Sequence, residues 1–437
     1  MGPTGIIRPN DTLAAGRTLG REFFNTLEKL SATPPGVTRV AYGAGEVAAF
    51  KLAAEMAKTF RAEQRFDAAG NQYLILPGQD RSRTLLVGSH LDSVPHGGNF
   101  DGAAGVALGL ALQASLAATN KAPLFDLATV CLRAEESCWF AHSYVGSRSA
   151  LGRLDPEALE VKRSDSGKSL GEHMAALGFD PQRVREGGRL LEPEEIVAYI
   201  EPHIEQGPAL VAAGVPLGLV TGIRGSFRFR HIEVLGEYAH SGATPRALRK
   251  DAGLAAARFV VALHEMWDDF AAAREDLTVT FGEIETDREA HGFSKVPGKV
   301  HLCLDVRSQS KGTLERAQKQ VQEIALRIEA ETQCTVLLGE RSGSAPAPLS
   351  EPLQEVMLDA AQHVGLTTIH LPSGAGHDAA TYAQAGIPAA MLFIRNENGS
   401  HNPHEAMDMA DFDAALALLD AAICDPRIAE LPRPPPL

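Results

Sequence analysis

The sequence predicts an α/β protein that is interrupted by a smaller α+β domain. Residues 72–135 follow the order strand, strand, loop, helix, strand, which is the α/β pattern. Residues 224–340 instead alternate strand-like runs with two long helical runs, which is typical of an antiparallel sheet packed against helices. We therefore expect one domain formed by residues 1–223 and 341–437, and an inserted domain formed by residues 224–340.

The α/β elements follow one another from residue 45. Apolar residues at helical spacing predict a helix over residues 45–64, and "NQYLILPG" and "RTLLVGSH" predict two strands. A helix over "DGAAGVALGLALQASLAA" and a buried strand over "FDLATVCLRAEES" come next. After the insert, "PLQEVMLDAAQHVG", "AATYAQAG" and "PAAMLFI" return to this pattern. Ligands of open α/β sheets bind beyond the carboxyl ends of the strands, so we expect the site there.

The insert has its own order of elements. Strand-like runs are "FRFRHIEVLGEY", "LTVTFGEIET", "KVHLCLDVRS" and "CTVLLGE", and helical runs are "RKDAGLAAARFVVALHEMWDDF" and "TLERAQKQVQEIALRIEAET". Together they predict a strand–helix–strand–strand–helix–strand unit with an antiparallel sheet.

Composition excludes several classes of protein. The 437 residues are 44% hydrophobic and have a formal net charge of −14, which disfavours nucleic acid and anionic membranes as partners. No apolar run approaches the ~20 residues of a bilayer span, and the first residues lack the pattern of a signal peptide. The five cysteines are scattered and form no CxxC pair, which favours reduced thiols. We expect a soluble, cytoplasmic protein.

The stretch "GSHLDSVPHGGNFDG" is the first candidate site, and three interpretations compete. A phosphate-binding loop is disfavoured because the stretch has no Lys and Asp101 precedes the next helix. A surface turn explains the glycines but not His90 at the end of a buried strand. A metal site explains both, with His90 and Asp101 as ligands and Asp92 orienting His90. The turn remains the alternative.

Further acids and imidazoles follow other α/β segments. Glu135 and Glu136 come after a strand; a solvated acidic turn is the common explanation of such a pair. The functional explanation is that one Glu binds a metal and the other takes a proton from the attacking water. Single motifs add weaker candidates: His203 and Gln206 in "HIEQGP", His377 in "SGAGHDA", and His401 and His404 in "GSHNPHE".

These motifs carry a resemblance to a known family. "GSHLDSVPHGGNFDG", "EES", "HIEQGP", "AHSGATP…RKDA", "VPGKVHLCLDVR", "SGAGHDA" and "GSHNPHE" occur in this order between Ser89 and Glu405. In this the chain resembles the N-carbamoyl-L-amino acid amidohydrolase / β-ureidopropionase / allantoate amidohydrolase group of the M20 metallopeptidase superfamily. The resemblance implies an α/β, di-metal M20-type catalytic domain with an inserted α+β, ferredoxin-like domain. That insert would serve as lid and as the contact of a homodimer.

The resemblance also implies roles for single residues. Asp101 would bridge two divalent ions, with His90 and His203 completing one and Glu136 and His401 the other. Glu135 would be the general base, and the residues lining the substrate would be Gln206, His240, Arg307 and His377. The ions would be Zn²⁺ in the first place, with Mn²⁺, Co²⁺ or Ni²⁺ as alternatives that the same ligands suit.

One departure from the family concerns the substrate. The family's "NVIPG" is "SKVPG" here, so Ser294 replaces an asparagine that helps to hold the substrate carboxylate. We expect hydrolysis of the ureido C–N bond of an N-carbamoyl-L-amino acid, a small carboxylate-bearing substrate. The alternative is hydrolysis of allantoate, ureidoglycolate or an N-acyl amino acid. A more distant alternative is a non-catalytic metal-binding protein for assembly or sensing, which the intact Glu135 disfavours.

Overall fold

The structure, a computed structural model, describes residues 12–436. Its helices are α1 (Ala14–Ser31), α2 (Ala44–Lys58), α3 (Ala103–Ala118), α4 (Ser137–Phe140), α5 (Val145–Ala150), α6 (Leu170–Ala176), α7 (Pro181–Arg185), α8 (Ala209–Ala213), α9 (Ala252–Ala272), α10 (Lys311–Thr332), α11 (Glu351–His363), α12 (Asp378–Gln384) and α13 (Met409–Ile423). Its strands are β1 (Ala32–Thr33), β2 (Gly36–Val37), β3 (Glu63–Phe66), β4 (Gln72–Leu76), β5 (Asp80–His90), β6 (Phe125–Leu132), β7 (Ile196–Ile204), β8 (Leu217–Ile223), β9 (Gly225–Leu235), β10 (Ala239–His240), β11 (Thr278–Thr280), β12 (Ile284–Thr286), β13 (Lys295–Val296), β14 (Lys299–Ser308), β15 (Thr335–Leu337), β16 (Arg341–Ser344), β17 (Ala347–Pro348), β18 (Thr368–Ser373), β19 (Ala389–Ile394), β20 (Asn396–Glu397) and β21 (Ala406–Met407).

The described chain forms two compact units. The first contains residues 12–221, 349–371 and 377–436, and the second contains Gly222–Pro348 and Pro372–Gly376. The second unit includes the whole of the predicted insert. It continues past residue 340 because β16 pairs with β9.

The first unit is built on a mixed sheet with the strand order β8-β19-β7-β5-β6-β4-β3. The four central strands are parallel: β19 with β7, β7 with β5, and β5 with β6. Helix α3 is apolar on all sides, and 14 of its 16 residues are buried. Such a helix belongs in the interior of the unit, which here lies between the sheet and helices α1, α2 and α13.

The second unit is an antiparallel sheet with the strand order β11-β14-β9-β15, on which α9 and α10 pack. The predicted order of strands and helices is confirmed. The predicted fold class, α/β with an α+β insert, is confirmed as well. One predicted strand, "LTVTFGEIET", is divided into β11 and β12, which both pair with β14. A short additional pair, β10 with β13, places His240 opposite Lys295.

Two differences from the prediction concern the first unit. The helix predicted over residues 45–64 ends at Lys58, and residues 63–66 form β3 against β4. Arg61, with a φ of 61°, takes the left-handed conformation between them, which ends a helix. Helix α1 was not predicted, although its buried face includes Phe23, Phe24 and Leu27. No helix within residues 12–436 meets the length and apolarity that a bilayer crossing requires.

Candidate metal centre

Parallel strands bring the candidate residues to one edge of the first unit's sheet. His90 is the last residue of β5, and His203 is the last but one of β7. Glu135 and Glu136 follow β6, and His401 lies in the loop after β19. Because β5, β6, β7 and β19 are parallel, their carboxyl ends meet there.

The cluster contains two donor groups that share Asp101. In the first group, Asp101 Oδ1 lies 3.4 Å from His90 Nε2 and 3.3 Å from His203 Nε2. In the second group, His401 Nε2 lies 3.5 Å from Asp101 Oδ2 and 3.5 Å from Glu136 Oε1. The donor atoms of each group all lie within 4.8 Å of one another. One carboxylate thus presents one oxygen to each group.

These separations fit divalent ions. Atoms at about 2.1 Å from a tetrahedral ion are about 3.4 Å from each other, and the four measured separations lie within about 0.1 Å of that value. Imidazole and carboxylate donors suit Zn²⁺ and the other metals named above. The side chains present therefore fit two ions that share the Asp101 carboxylate.

Gly102 allows the loop to approach His90. Its φ is +64°, and a Cβ at this position would lie 2.5 Å from the His90 ring. A side chain here would displace the imidazole, so the position requires glycine for both reasons. The next residue, Ala103, begins α3, which fixes the loop that carries Asp101.

The Asp92 side chain binds the backbone of the glutamate pair. Its carboxylate accepts hydrogen bonds from the amides of Glu135 and Glu136, both at 3.1 Å. The prediction assigned Asp92 to His90, and its Oδ1 does lie 3.4 Å from His90 Nδ1. However, the Asp92 backbone oxygen is nearer to that nitrogen, at 3.1 Å. The side chain therefore connects the ends of β5 and β6.

The carboxylates of the cluster are buried and close together. Burial raises the pKa of Glu135 well above its usual value. The charge of His90 acts to lower this pKa, and the charge of Glu136 acts to raise it further. Burial also raises the pKa of Glu136 to about 8, and the charge of Asp101 adds to it. Burial would raise the pKa of Asp101 as well, but the two buried histidines hold it well below its usual range. A cation would compensate the remaining charge of these carboxylates.

Gln206 and His377 both contact the cluster. Gln206 Nε2 donates to Asp101 Oδ2 at 2.8 Å and lies 3.3 Å from His401 Nε2. His377 is only 2% exposed, and its ring packs edge-on against His203, with centroids 4.6 Å apart. Burial lowers the pKa of His377 well below its usual value, and so do the charges of nearby histidines. This ring packs against His203, and its place in the lining of the cleft stays a prediction.

The predicted substrate residues of the second unit are His240 on β10, Ser294 immediately before β13, and Arg307 on β14. The Ser241 amide donates to the Ser294 carbonyl at 2.9 Å, so β10 brings His240 beside Ser294. His240 Nδ1 accepts from the amides of Gly242 and Ala243, at 3.2 and 3.1 Å. This leaves the proton on Nε2, which can donate to a ligand.

Arg307 is held in place by its own unit. Its Nη2 donates to Asp305 Oδ2 at 2.7 Å, and its Nη1 donates to the Gly374 carbonyl at 2.6 Å. Asp305 orients the guanidinium and also occupies part of its donor fork. Lys295, next to Ser294, donates to the Ala290 carbonyl at 2.9 Å.

The sequence matches peptidase family M20/M25/M40 over residues 86–425. The chain belongs to this family.

Two curated relatives and one solved structure narrow the comparison within the M20 family. The chain is 34% identical to an N-carbamoyl-L-amino acid amidohydrolase of Geobacillus stearothermophilus, over 85% of this chain and 88% of that protein. It is 32% identical to an allantoate amidohydrolase of Bacillus subtilis, with the same coverage. An amidase of the hydantoinase/carbamoylase family from Burkholderia multivorans superposes with a TM-score of 0.83 at 29% identity, over 93% and 98% of the two chains. This M20 chain is therefore a metal-dependent amidohydrolase.

Sequence reasoning missed three residues that support the cluster of this M20 chain. Arg39 is fully buried, and its Nε donates to the Leu91 carbonyl at 2.6 Å, between His90 and Asp92. Ser400 and Glu405 contact the loop of Asp101. Glu405 lies in the recognised "GSHNPHE" motif, and its spacing from His401 selects His401 over His404 as the ligand, but it did not indicate the contact of Glu405 with the loop of Asp101. No pattern around Arg39 indicated its role.

Proposed function

We propose that the chain hydrolyses the ureido C–N bond of an N-carbamoyl-L-amino acid. The observation that carries the proposal is the pair of donor groups that share Asp101, with the Glu135 carboxylate beside them. Glu135 Oε2 lies 3.9 Å from His90 Nε2. This is the arrangement that hydrolysis of an unreactive carbonyl requires: a place for two cations and a base next to it.

Five side chains would hold the ions: His90, Asp101 and His203 one, and Asp101, Glu136 and His401 the other. When bound, two divalent ions, Zn²⁺ in the first place, would polarise the carbonyl and lower the pKa of the attacking water. Burial of the first group excludes bulk water from the reacting atoms, which strengthens every charge interaction there.

Glu135 acts as the general base in this proposal. A carboxylate oxygen of Glu135 takes the proton of the attacking water and passes it to the departing nitrogen. Asp92 keeps the glutamate in place through its hydrogen bond to the Glu135 amide. Gln206, whose amide already donates to Asp101, orients the substrate at the same edge.

The second unit supplies recognition. His240 Nε2 donates to the oxygen that gains negative charge, and Arg307 binds the substrate carboxylate in bidentate fashion. Ser294 replaces the family's asparagine near that carboxylate.

We further propose that the second unit acts as a lid and as the contact of a homodimer. Its exposed apolar side chains, such as Leu254, Val261 and Leu326, support this. Cysteine thiols without a disulfide favour the cytoplasm as its location.

A second candidate substrate is a different ureide, such as allantoate. Two observations favour it: the allantoate amidohydrolase among the relatives, and Ser294, which is shorter than asparagine and lacks an amide donor. The two candidates share the metal centre and differ only in what binds the far end of the substrate.

A substrate panel tests the proposal. It contains N-carbamoyl-L- and D-amino acids, N-carbamoyl-β-alanine, allantoate, ureidoglycolate and N-acyl amino acids, each assayed after chelation and after reloading with Zn²⁺ or Mn²⁺. We expect ammonia release from an N-carbamoyl-L-amino acid that disappears on chelation and returns with metal. Turnover of allantoate alone would move the substrate to the second candidate. No turnover of any compound, with two ions bound, would contradict the proposal.

A further inference from the structure

The two donor groups of the metal centre are supported in different ways. In the first group, packing fixes the ligands: the side chains of His90 and His203 are 2% and 1% exposed. In the second, His401 is 51% exposed and has a left-handed φ of 60°. A half-exposed imidazole has little packing to hold it, so this ion position must rely on hydrogen bonds to its carboxylates.

Those hydrogen bonds converge on Asp101 Oδ2, the oxygen of the second group. Ser400 Oγ lies 2.5 Å from this oxygen and 2.8 Å from Glu405 Oε2. The other Glu405 oxygen accepts the amides of Phe100 and Asp101, at 2.7 and 3.1 Å. Gly98 lets the loop approach this carboxylate, because a Cβ there would lie 2.4 Å from Glu405. Glu405 therefore binds the backbone of Asp101, and Ser400 contacts its side chain.

The loop itself does not need Ser400 for its shape. Three asparagines provide its internal bonds: Asn396 donates to the Gly399 carbonyl, Asn398 to the His404 carbonyl and Asn402 to the Ser400 carbonyl, at 2.7, 2.7 and 3.1 Å. The Ser400 hydroxyl contacts only Glu405 among the residues of this loop, and it also reaches Asp101, 299 positions away in the chain. The shape of the loop therefore rests mainly on the asparagines, and the Ser400 hydroxyl joins Glu405 to Asp101.

We propose that Ser400 and Glu405 are positioning residues that set the affinity of the second ion. The inference rests on the proposed function, since it takes Asp101 as the shared ligand. By holding Oδ2 towards Glu136 and His401, the pair pre-forms the second position, while the first is pre-formed by packing. Loss of a residue that orients a ligand typically weakens metal affinity by about 10- to 100-fold.

The test is stepwise Zn²⁺ binding to the full chain, measured after chelation against a chromophoric competitor. We expect Ser400→Ala to weaken the second equivalent by about 10- to 100-fold and to leave the first unchanged. Ser400→Thr keeps the hydroxyl and should restore the second equivalent. Ser115→Ala is the matched control, because that buried hydroxyl donates within α3, to the Ala111 carbonyl, and should alter neither step.

Two results would overturn the inference: a second equivalent of wild-type affinity in Ser400→Ala, or equal weakening of both equivalents. If Ser400→Ala does not fold, Ser400→Cys removes the strong donor at nearly constant size and is read in the same way. Wild-type protein that binds fewer than two Zn²⁺ ions would instead overturn the two-ion proposal. Inactivity of wild-type protein with two ions bound would contradict only the proposed reaction.

Discussion

The candidate metal centre and the proposed recognition residues of the second unit are built differently. His90, His203 and Asp92 are buried at or just after strand ends. His203 and Asp92 accept hydrogen bonds from backbone amides of other segments. His240 lies on β10, and Ser294 immediately precedes β13, the strand that pairs with β10. Both side chains are exposed, and Ser294 is the departure from the family motif named above. All predicted donors except the half-exposed His401 are buried. From this difference we expect the chemistry to depend on the core and the selectivity to depend on the exposed pair.

The largest effect is expected at the shared carboxylate. Asp101→Ala removes a donor from both groups, so the purified protein should retain neither ion and should have no measurable turnover. Metal analysis after gel filtration checks this. Asp359→Ala, at an exposed acid paired with Arg427, is the control and should keep the wild-type metal content. Two ions per chain in Asp101→Ala would rule out bridging.

The next effect should separate chemistry from metal binding. Glu135→Gln keeps the shape of the side chain but cannot accept a proton, so kcat should fall by about 100- to 10,000-fold. The Zn²⁺ content should stay at the wild-type value, because Glu135 belongs to neither donor group. Steady-state kinetics with parallel metal analysis measures both, and a kcat within tenfold of wild type would remove Glu135 as the base.

Asp92→Asn tests whether the connection between strand ends matters for catalysis. The amide nitrogen would face a backbone N–H of Glu135 or Glu136, so one hydrogen bond is lost and kcat/KM should fall by about 10- to 100-fold. Asp67→Asn is a matched control, since Asp67 is also buried and accepts the amides of Ala69 and Asn71. The control should lower the melting temperature while kcat/KM is retained; equal kinetic losses would show that Asp92 has only a structural role.

A smaller effect is expected in the second unit. Arg307→Lys keeps the charge but loses the planar fork, so KM for substrates with a free carboxylate should rise about tenfold. Analogues whose carboxylate is capped as an amide should show no change, which gives an internal control. A similar rise for both sets of compounds would remove Arg307 from carboxylate recognition.

The smallest effect is expected at Ser294, where the sequence departs from the family motif. Ser294→Asn restores one amide donor, so kcat/KM for N-carbamoyl α-amino acids should rise by about 2- to 10-fold. Competition between an N-carbamoyl amino acid and allantoate measures the shift. If the ratio does not change, Ser294 does not contribute to substrate choice.

Most of the fold could be predicted because its strands and helices have clear periodicity and the sheet is parallel at its centre. Because the carboxyl ends of parallel strands meet at one edge of a sheet, the sequence could also predict that His90, Glu136, His203 and His401 lie at that edge. The supporting contacts could not be predicted, since they join residues distant in sequence: Ser400 contacts Asp101, and Asp92 contacts the amides of the glutamate pair. His377 lies in a recognised motif, yet only the structure shows that its ring is buried against His203.

The position of the insert has a consequence for biosynthesis. Four of the proposed ligands precede the second unit in the chain, and His401 follows it, about 200 residues after His203. At translation rates of about 5–20 residues per second, the ribosome needs roughly 10–40 s to make that difference. Strand β19, which leads to His401, also completes the pairing of β7. We therefore expect the nascent protein to carry an incomplete set of the proposed ligands while its middle is being synthesised, and the second ion position to be completed late in maturation.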